Sequence, residues 1–307
     1  MRILIVGAGS TGGYFGARLT QAGRDVTFLV RPARAAALRE TGLQVRSPLG
    51  DFEVAPALVQ AGQVERPYDI VLVTVKAYGL AAAIDDFAPA VGPETMILTV
   101  LNGLRHIDDL QARFGPERVV GGVCRVSTQL DAQGRILHLS PLHELVYGEL
   151  AGTDSARIEA LHAFLSDAGF DTRLSLRIVQ ELWNKWILLA TLGAVCTLAR
   201  GSVGEIAATD GGDALVRGVL AECVAVAGAA GHAPAPAVVE GTLALLTTAG
   251  STLTSSMYRD LVAGDRVEVD QILGDLRARA RHAGLATPLV SAAFVQLDAY
   301  RRRRDAP

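Results

Sequence analysis

Of the 29 cationic side chains in this 307-residue chain, 27 are arginine and two are lysine, Lys76 and Lys185. In a sequence that writes nearly every cation as Arg, a retained lysine marks a place where a guanidinium would not serve. Lys185 stands in Glu181-Leu182-Trp183-Asn184-Lys185-Trp186, between two tryptophans at the start of a long apolar run. A lysine among apolar neighbours loses charge stabilisation and becomes a usable general acid near neutrality. Arginine does not, because it stays protonated to above about 12. The plainer reading is a cation on the wet face of an amphipathic helix. Lys76 follows the run Ile70 to Val75, and Asn102, one of two asparagines, follows Ile97 to Leu101 and precedes Gly103. In open α/β sheets, ligands sit beyond such strand ends. The alternatives are a snorkelling strand-end lysine and an Asx turn.

A third group could hold a phosphate. Gly7-Ala8-Gly9-Ser10-Thr11-Gly12 fits G-x-G-x-x-G and lies directly after the strand-like run Ile3 to Val6, opening a helix-like segment. The first glycine permits a tight turn, the second lets backbone approach a pyrophosphate, and the third allows close helix-strand packing. At the end of the next strand, Phe28-Leu29-Val30 is followed by Arg31 and Pro32, with Arg34 close behind. An acidic residue at that place would accept from a ribose 2′-hydroxyl; Arg31 instead suits a 2′-phosphate through a bidentate fork. The pattern favours NADPH/NADP+ over NADH. A solvated loop arginine is the competing reading.

The elements that must position these residues divide into two halves. Through about residue 174, short apolar runs alternate with helical segments, at Ile3 to Val6, Val26 to Val30, Ile70 to Val75 and Met96 to Val100. Continuous apolar runs of this kind are parallel strands covered on both faces, so residues 1–174 are expected to form an α/β Rossmann-type dinucleotide-binding domain. Val119 to Val126, Ile136 to Leu139, Leu145 to Tyr147 and Phe170 to Leu174 continue the strand pattern. From 175 to 307 the chain is Ala/Leu/Val-rich, with helices expected over about 176–199, 210–230, 235–248, 268–283 and 288–303, an all-helical domain.

Composition narrows the partners. With 32 acidic residues the net charge is −3, which argues against nucleic acid or an anionic membrane. No run of about 18 uninterrupted apolar residues is present, and a cytoplasmic location is expected. Cys124, Cys196 and Cys223 have no metal-ligand spacing and read as buried thiols. No metal is required. Of the six histidines, His138 and His143 are the two that could approach a cleft from loops. The run Arg301 to Arg304 reads as a solvated helix end favourable to the dipole.

The GAGSTGG turn, Arg31, Val75-Lys76-Ala77, Leu101-Asn102-Gly103, Leu182-Trp183-x-Lys185, Ser255-Ser256-Met257 and Glu268-Val269-Asp270 occur in an order that resembles the ketopantoate reductases. The resemblance covers essentially the whole chain. It implies NADPH-dependent reduction of a small-molecule 2-oxo acid. Lys185 then resembles the catalytic lysine, Asn102 and Lys76 the polar pair of the cofactor crevice, and Ser256 the substrate-holding serine. Glu268 resembles the carboxylate near cofactor and lysine, and Ser127 falls near a cofactor-contacting backbone position. A homodimer through the helical domain is the expected assembly.

The chain departs from the family where asparagines are usual: four and eight residues after the lysine stand Leu189 and Gly193, and further on Val203 and Leu253. A hydroxyl left unpaired in a closed site costs about 1–3 kcal/mol, so the pocket is expected to suit a more apolar 2-oxo acid than ketopantoate. Arg200 could pair with a substrate carboxylate or cap a helix C-terminus. Two other functions fit the architecture: an imine- or opine-type C=N reductase, and a non-catalytic NADPH-binding sensor.

Overall fold

A computed structural model describes residues 1–306, which pack as two compact units. The first comprises Met1–Leu101 and His106–Val179 and is built on a ten-stranded mixed sheet. Its elements are β1 (Arg2–Val6), α1 (Ser10–Gln21), β2 (Asp25–Leu29), α2 (Pro32–Thr41), β3 (Leu43–Arg46), β4 (Phe52–Val54) and β5 (Ala57–Val59). These are followed by β6 (Ile70–Val73), α3 (Leu80–Phe87), β7 (Met96–Thr99), α4 (Arg105–Phe114), β8 (Val119–Leu130), β9 (Ile136–Glu149), α5 (Ala156–Leu165) and β10 (Asp171–Leu174). The order across the sheet is β4-β3-β9-β8-β7-β6-β1-β2-β5, with β10 also on β9.

The parallel core β2-β1-β6-β7 follows from sequence. Ile3, Ile5, Ile70, Leu72 and Leu98 are fully buried, because helices cover both faces of a parallel sheet and leave no wet side. β8 and β9 turn antiparallel, and their register shifts between Val126 and Thr128, the stretch that holds Ser127. β9 runs unbroken where two short strands are expected from sequence. β3, β4, β5 and α2 to α4 have no counterpart in the sequence reading.

The second unit takes Asn102–Arg105 and the chain from Gln180 onward. Its helices are α6 (Ile178–Ala199), α7 (Val203–Ala207), α8 (Gly212–Ala229), α9 (Pro236–Leu246), α10 (Ser256–Ala263), α11 (Asp275–His282) and α12 (Pro288–Arg304). The division falls inside α6, within a few residues of the boundary expected near 175, and Asn102–Arg105 groups with the second unit. α6 is apolar and long enough to cross a membrane by composition. Its buried side chains, Trp183, Trp186, Ile187 and Ala190 among them, make it a core helix of the unit. The helix expected over 268–283 opens differently: Asp270–Gly274 is a π-helical turn, and only then does α11 begin. α7 and α10 are short additions.

Candidate active site

The glycine turn is held by a residue that its own motif does not include. Gly7 has φ +96°, a conformation open to glycine. A Cβ on Gly12 would collide with the Thr74 side chain and the Gly7 carbonyl. Thr74 Oγ1 lies 2.9 Å from the Val6 carbonyl and 3.0 Å from that of Gly7, so this hydroxyl staples β1, the turn and β6 together. Nothing lies within 4 Å of a Cβ built on Gly9. Gly9 caps α1 without a side-chain acceptor, and the first turn, from Ser10 and Thr11, carries no acid. The free N–H groups of a helix N-terminus beside open space suit a pyrophosphate, so the cradle fits a dinucleotide.

Arg34 is closer to this loop than the sequence suggested. Its Nε donates to the Ala8 carbonyl at 3.1 Å and its Nη1 to the Gly134 carbonyl at 3.0 Å. Nη2 is buried with no hydrogen-bond partner among the described residues, and burial holds the guanidinium below its ordinary range. Arg31 is exposed and caps α2, with Pro32 as the first helical residue. Its Nη2 lies 4.0 Å from where a Cβ on Gly79 would be. That places it beside the loop that Lys76 opens; Lys76 itself lies past the end of β6, which stops at Val73. Ser127 is exposed on β8.

In the second unit, the segments that carry three of the remaining candidates, Lys185, Asn102 and Glu268, meet at one turn. Trp186, the neighbour of Lys185, donates its indole N–H to the Ile272 carbonyl at 3.0 Å. Gly103, the neighbour of Asn102, packs so tightly that a Cβ there would stand 2.6 Å from the Gln271 carbonyl oxygen. Ile272 N–H donates to the carbonyl of Glu268 at 3.2 Å. Glu268 is 7% exposed and Lys185 is half-buried.

Lys185, Leu189 and Gly193 follow one another at i, i+4 and i+8, on one face of α6. Gly193 is covered by Met257, whose methyl occupies the place a side chain at 193 would take. Ser255 caps α10 by accepting from the Tyr258 N–H at 3.0 Å, which makes Ser256 the first helical residue beside Met257. Leu253 gives its carbonyl to the Val203 N–H at 2.9 Å, and Val203 is fully buried.

Arg200 is exposed just past the end of α6, at φ +59°, and its carbonyl accepts from the Tyr258 hydroxyl at 2.7 Å. It lies fifteen residues beyond Lys185, about 22 Å along the helix axis. His138 and His143 are not on loops. Both lie on β9, where His143 Nδ1 is 2.6 Å from the Tyr14 hydroxyl and His138 Nδ1 is 2.9 Å from Ser47 Oγ. Cys196 and Cys223 are buried thiols, Cys223 pushed up to about 12 by burial, while Cys124 is half-buried.

A dinucleotide cradle on a Rossmann-type sheet, joined to a helical unit that carries a lysine and a buried carboxylate, defines a two-domain oxidoreductase. The chain belongs to the ketopantoate reductase family. Residues 3–152 match the family model Ketopantoate reductase PanE/ApbA, and 177–301 match Ketopantoate reductase PanE/ApbA C terminal. Uncharacterized oxidoreductase YkpB of Bacillus subtilis is 36% identical over 98% of this chain and 99% of its own length. The crystal structure of 2-dehydropantoate 2-reductase from Geobacter metallireducens superposes with a TM-score of 0.88 at 32% identity, covering 97% of this chain and 99% of that one. A D-mandelate dehydrogenase, solved with NADH and anilino(oxo)acetate, shares the fold at a TM-score of 0.89 and 24% identity over the whole of both chains.

Proposed function

We propose that this protein is an NADPH-dependent reductase of 2-oxo acids whose preferred substrate carries an apolar substituent in place of ketopantoate's hydroxyl-bearing one. The observation that carries the apolar part is the wall two turns along α6 from Lys185, where Leu189 and the Met257 methyl over Gly193 stand in positions the family gives to asparagine. Neither can satisfy a substrate hydroxyl, and a buried hydroxyl without a partner is disfavoured by about 1–3 kcal/mol.

The dinucleotide, when bound, supplies the hydride that reaches the keto carbon. The chain's own groups do the rest. The first-turn N–H groups of α1 and the glycine turn bind the pyrophosphate, and Arg31 takes the 2′-phosphate. Lys76, Asn102 and Ser127 line the cofactor side. As negative charge grows on the carbonyl oxygen, the Lys185 ammonium stabilises it and then delivers the proton. Glu268 orients that ammonium, and Ser256 donates its hydroxyl to the substrate.

The test is NADPH oxidation with ketopantoate, branched and aromatic 2-oxo acids, and cyclic imines, with Lys185→Ala as control. Turnover of branched or aromatic 2-oxo acids above ketopantoate, lost in the variant, supports the reading. A strong preference for ketopantoate overturns the apolar-pocket part. Turnover of imines alone overturns carbonyl reduction.

A further inference from the structure

Trp186 is 1% exposed, and its single polar atom is spent on one backbone group, the carbonyl of Ile272. That carbonyl lies in the middle of the π-helical turn Asp270–Gly274. A π turn is wider than an α turn, is rarely longer than one turn, and persists only where its surroundings hold it. Here the surroundings are specific. Gly103, at φ +79°, lets the backbone after Asn102 come against the Gln271 carbonyl. The Ile272 N–H reaches the Glu268 carbonyl. Residues 271 and 272 therefore touch the residue after Asn102, the residue after Lys185, and Glu268 itself.

We infer that Trp186 is a positioning residue: its N–H bond to Ile272 keeps the π turn in place and so sets Glu268 and Asn102 against Lys185. The inference rests on the reading that these three residues form the reductase site. It explains why an indole is used. Phe or Leu would fill the volume but remove the side-chain donor to the Ile272 carbonyl, whereas the indole offers one N–H and nothing else. Trp183 provides the contrast within the same cluster. Its ring lies 5.0 Å from that of Trp186 but stacks on His232 at 5.7 Å. Arg279, at the far side of the turn and held to Asp275 at 3.0 Å, covers both rings at 5.6 and 5.9 Å, so the cluster's packing is shared while the hydrogen bond belongs to Trp186.

The experiment compares the full-length protein with Trp186→Phe, with Trp183→Phe, and with Trp186 replaced by benzothienylalanine, which keeps the bicyclic volume and lacks the N–H. Backbone amide exchange over 268–276 and 102–105 is measured alongside kcat and both KM values. Loss of a buried hydrogen bond should lower kcat about tenfold in both replacements at 186, with KM for NADPH changed less than about twofold. Exchange over the two segments should rise in both, and Trp183→Phe should change neither readout. Should Trp186→Phe fail to fold, the benzothienylalanine protein carries the comparison. The inference is overturned if exchange over 268–276 is unchanged in that protein, if kcat stays within about twofold of wild type, or if Trp183→Phe produces the same loss. A wild-type protein that reduces no 2-oxo acid would strike the reductase reading before any variant is made, and the exchange measurements would still decide whether Trp186 holds the turn.

Discussion

The Met257 methyl fills the space in which a side chain at Gly193 would begin. This pair closes part of the wall that Lys185 and Leu189 share on α6, and it couples the first turn of α10, with Ser256, to that helix. Because the obstructing atom is the far end of a flexible side chain, Gly193→Asn should be accommodated by rotation of Met257 at less than the 1–3 kcal/mol usual for overpacking. The new amide then stands one turn beyond Leu189, on the face of α6 that carries Lys185. The expected outcome is a fall of about tenfold or more in kcat/KM for branched 2-oxo acids, relative to ketopantoate, with a small change in melting temperature. Steady-state kinetics on the two substrates and a thermal scan check it.

Gly12 tests the dinucleotide cradle without touching a charge. A Cβ there meets the backbone carbonyl of Gly7 as well as Thr74, and backbone cannot rotate away as a side chain can. Gly12→Ala should therefore weaken NADPH binding by about tenfold or more, read by nucleotide fluorescence titration. A companion Thr74→Val, which removes the staple to Val6 and Gly7 but keeps the volume, should weaken binding by a smaller factor.

Arg31 and Arg34 make separable predictions. Arg31→Ala should raise the Kd of NADPH by about 10- to 100-fold and leave that of NADH nearly unchanged, as loss of a charge-assisted contact to a 2′-phosphate requires. Arg34→Ala removes donors to the carbonyls of Ala8 and Gly134, so it should weaken both nucleotides alike. Binding titrations of both variants with both nucleotides distinguish phosphate recognition from support of the loop.

What was readable in the sequence, and what was not, follows the range of the interactions involved. β1, the glycine turn and α1 are specified within twenty residues by an apolar run and glycine spacing, and they stand as expected. β3 was not readable: Leu43-Gln44-Val45-Arg46 alternates apolar and polar residues but over only four positions, too short to stand out, and it is fixed as a strand by pairing with β4 and, far along the chain, of Val45 with Ile136. Thr74 looked like one more β-branched strand residue until the fold brought it to Gly7 and Gly12. Arg34 was hidden among 27 arginines. The π turn was unreadable for a related reason: residues 268–283 have helical periodicity, and the widening is associated with contacts from Trp186 and Gly103, which no local pattern encodes.

His138 and His143 on β9 give the first unit a pH dependence of definite sign. Burial lowers His138 below its ordinary range, opposed by the Leu142 carbonyl and aided by Arg18. Burial also lowers His143, opposed by Asp171 and aided by His138 and Arg18. The two rings stack at 5.6 Å, with the Tyr14 hydroxyl on His143 and the Tyr14 ring 4.5 Å from His138. A histidine whose folded value is depressed binds fewer protons folded than unfolded, so its contribution is intact above the unfolded value, near 6.5, and is lost as pH falls below it. Each can add up to about 1.4 kcal/mol of lost stability per pH unit in that window. Urea unfolding between about pH 7.5 and 5 should show stability falling with acid. His138→Asn or His143→Gln should make the slope shallower even where it lowers stability at neutral pH. Because Tyr14 lies one turn into the helix whose N-terminus forms the glycine cradle, NADPH affinity should weaken over the same range in the wild type and less steeply in His143→Gln.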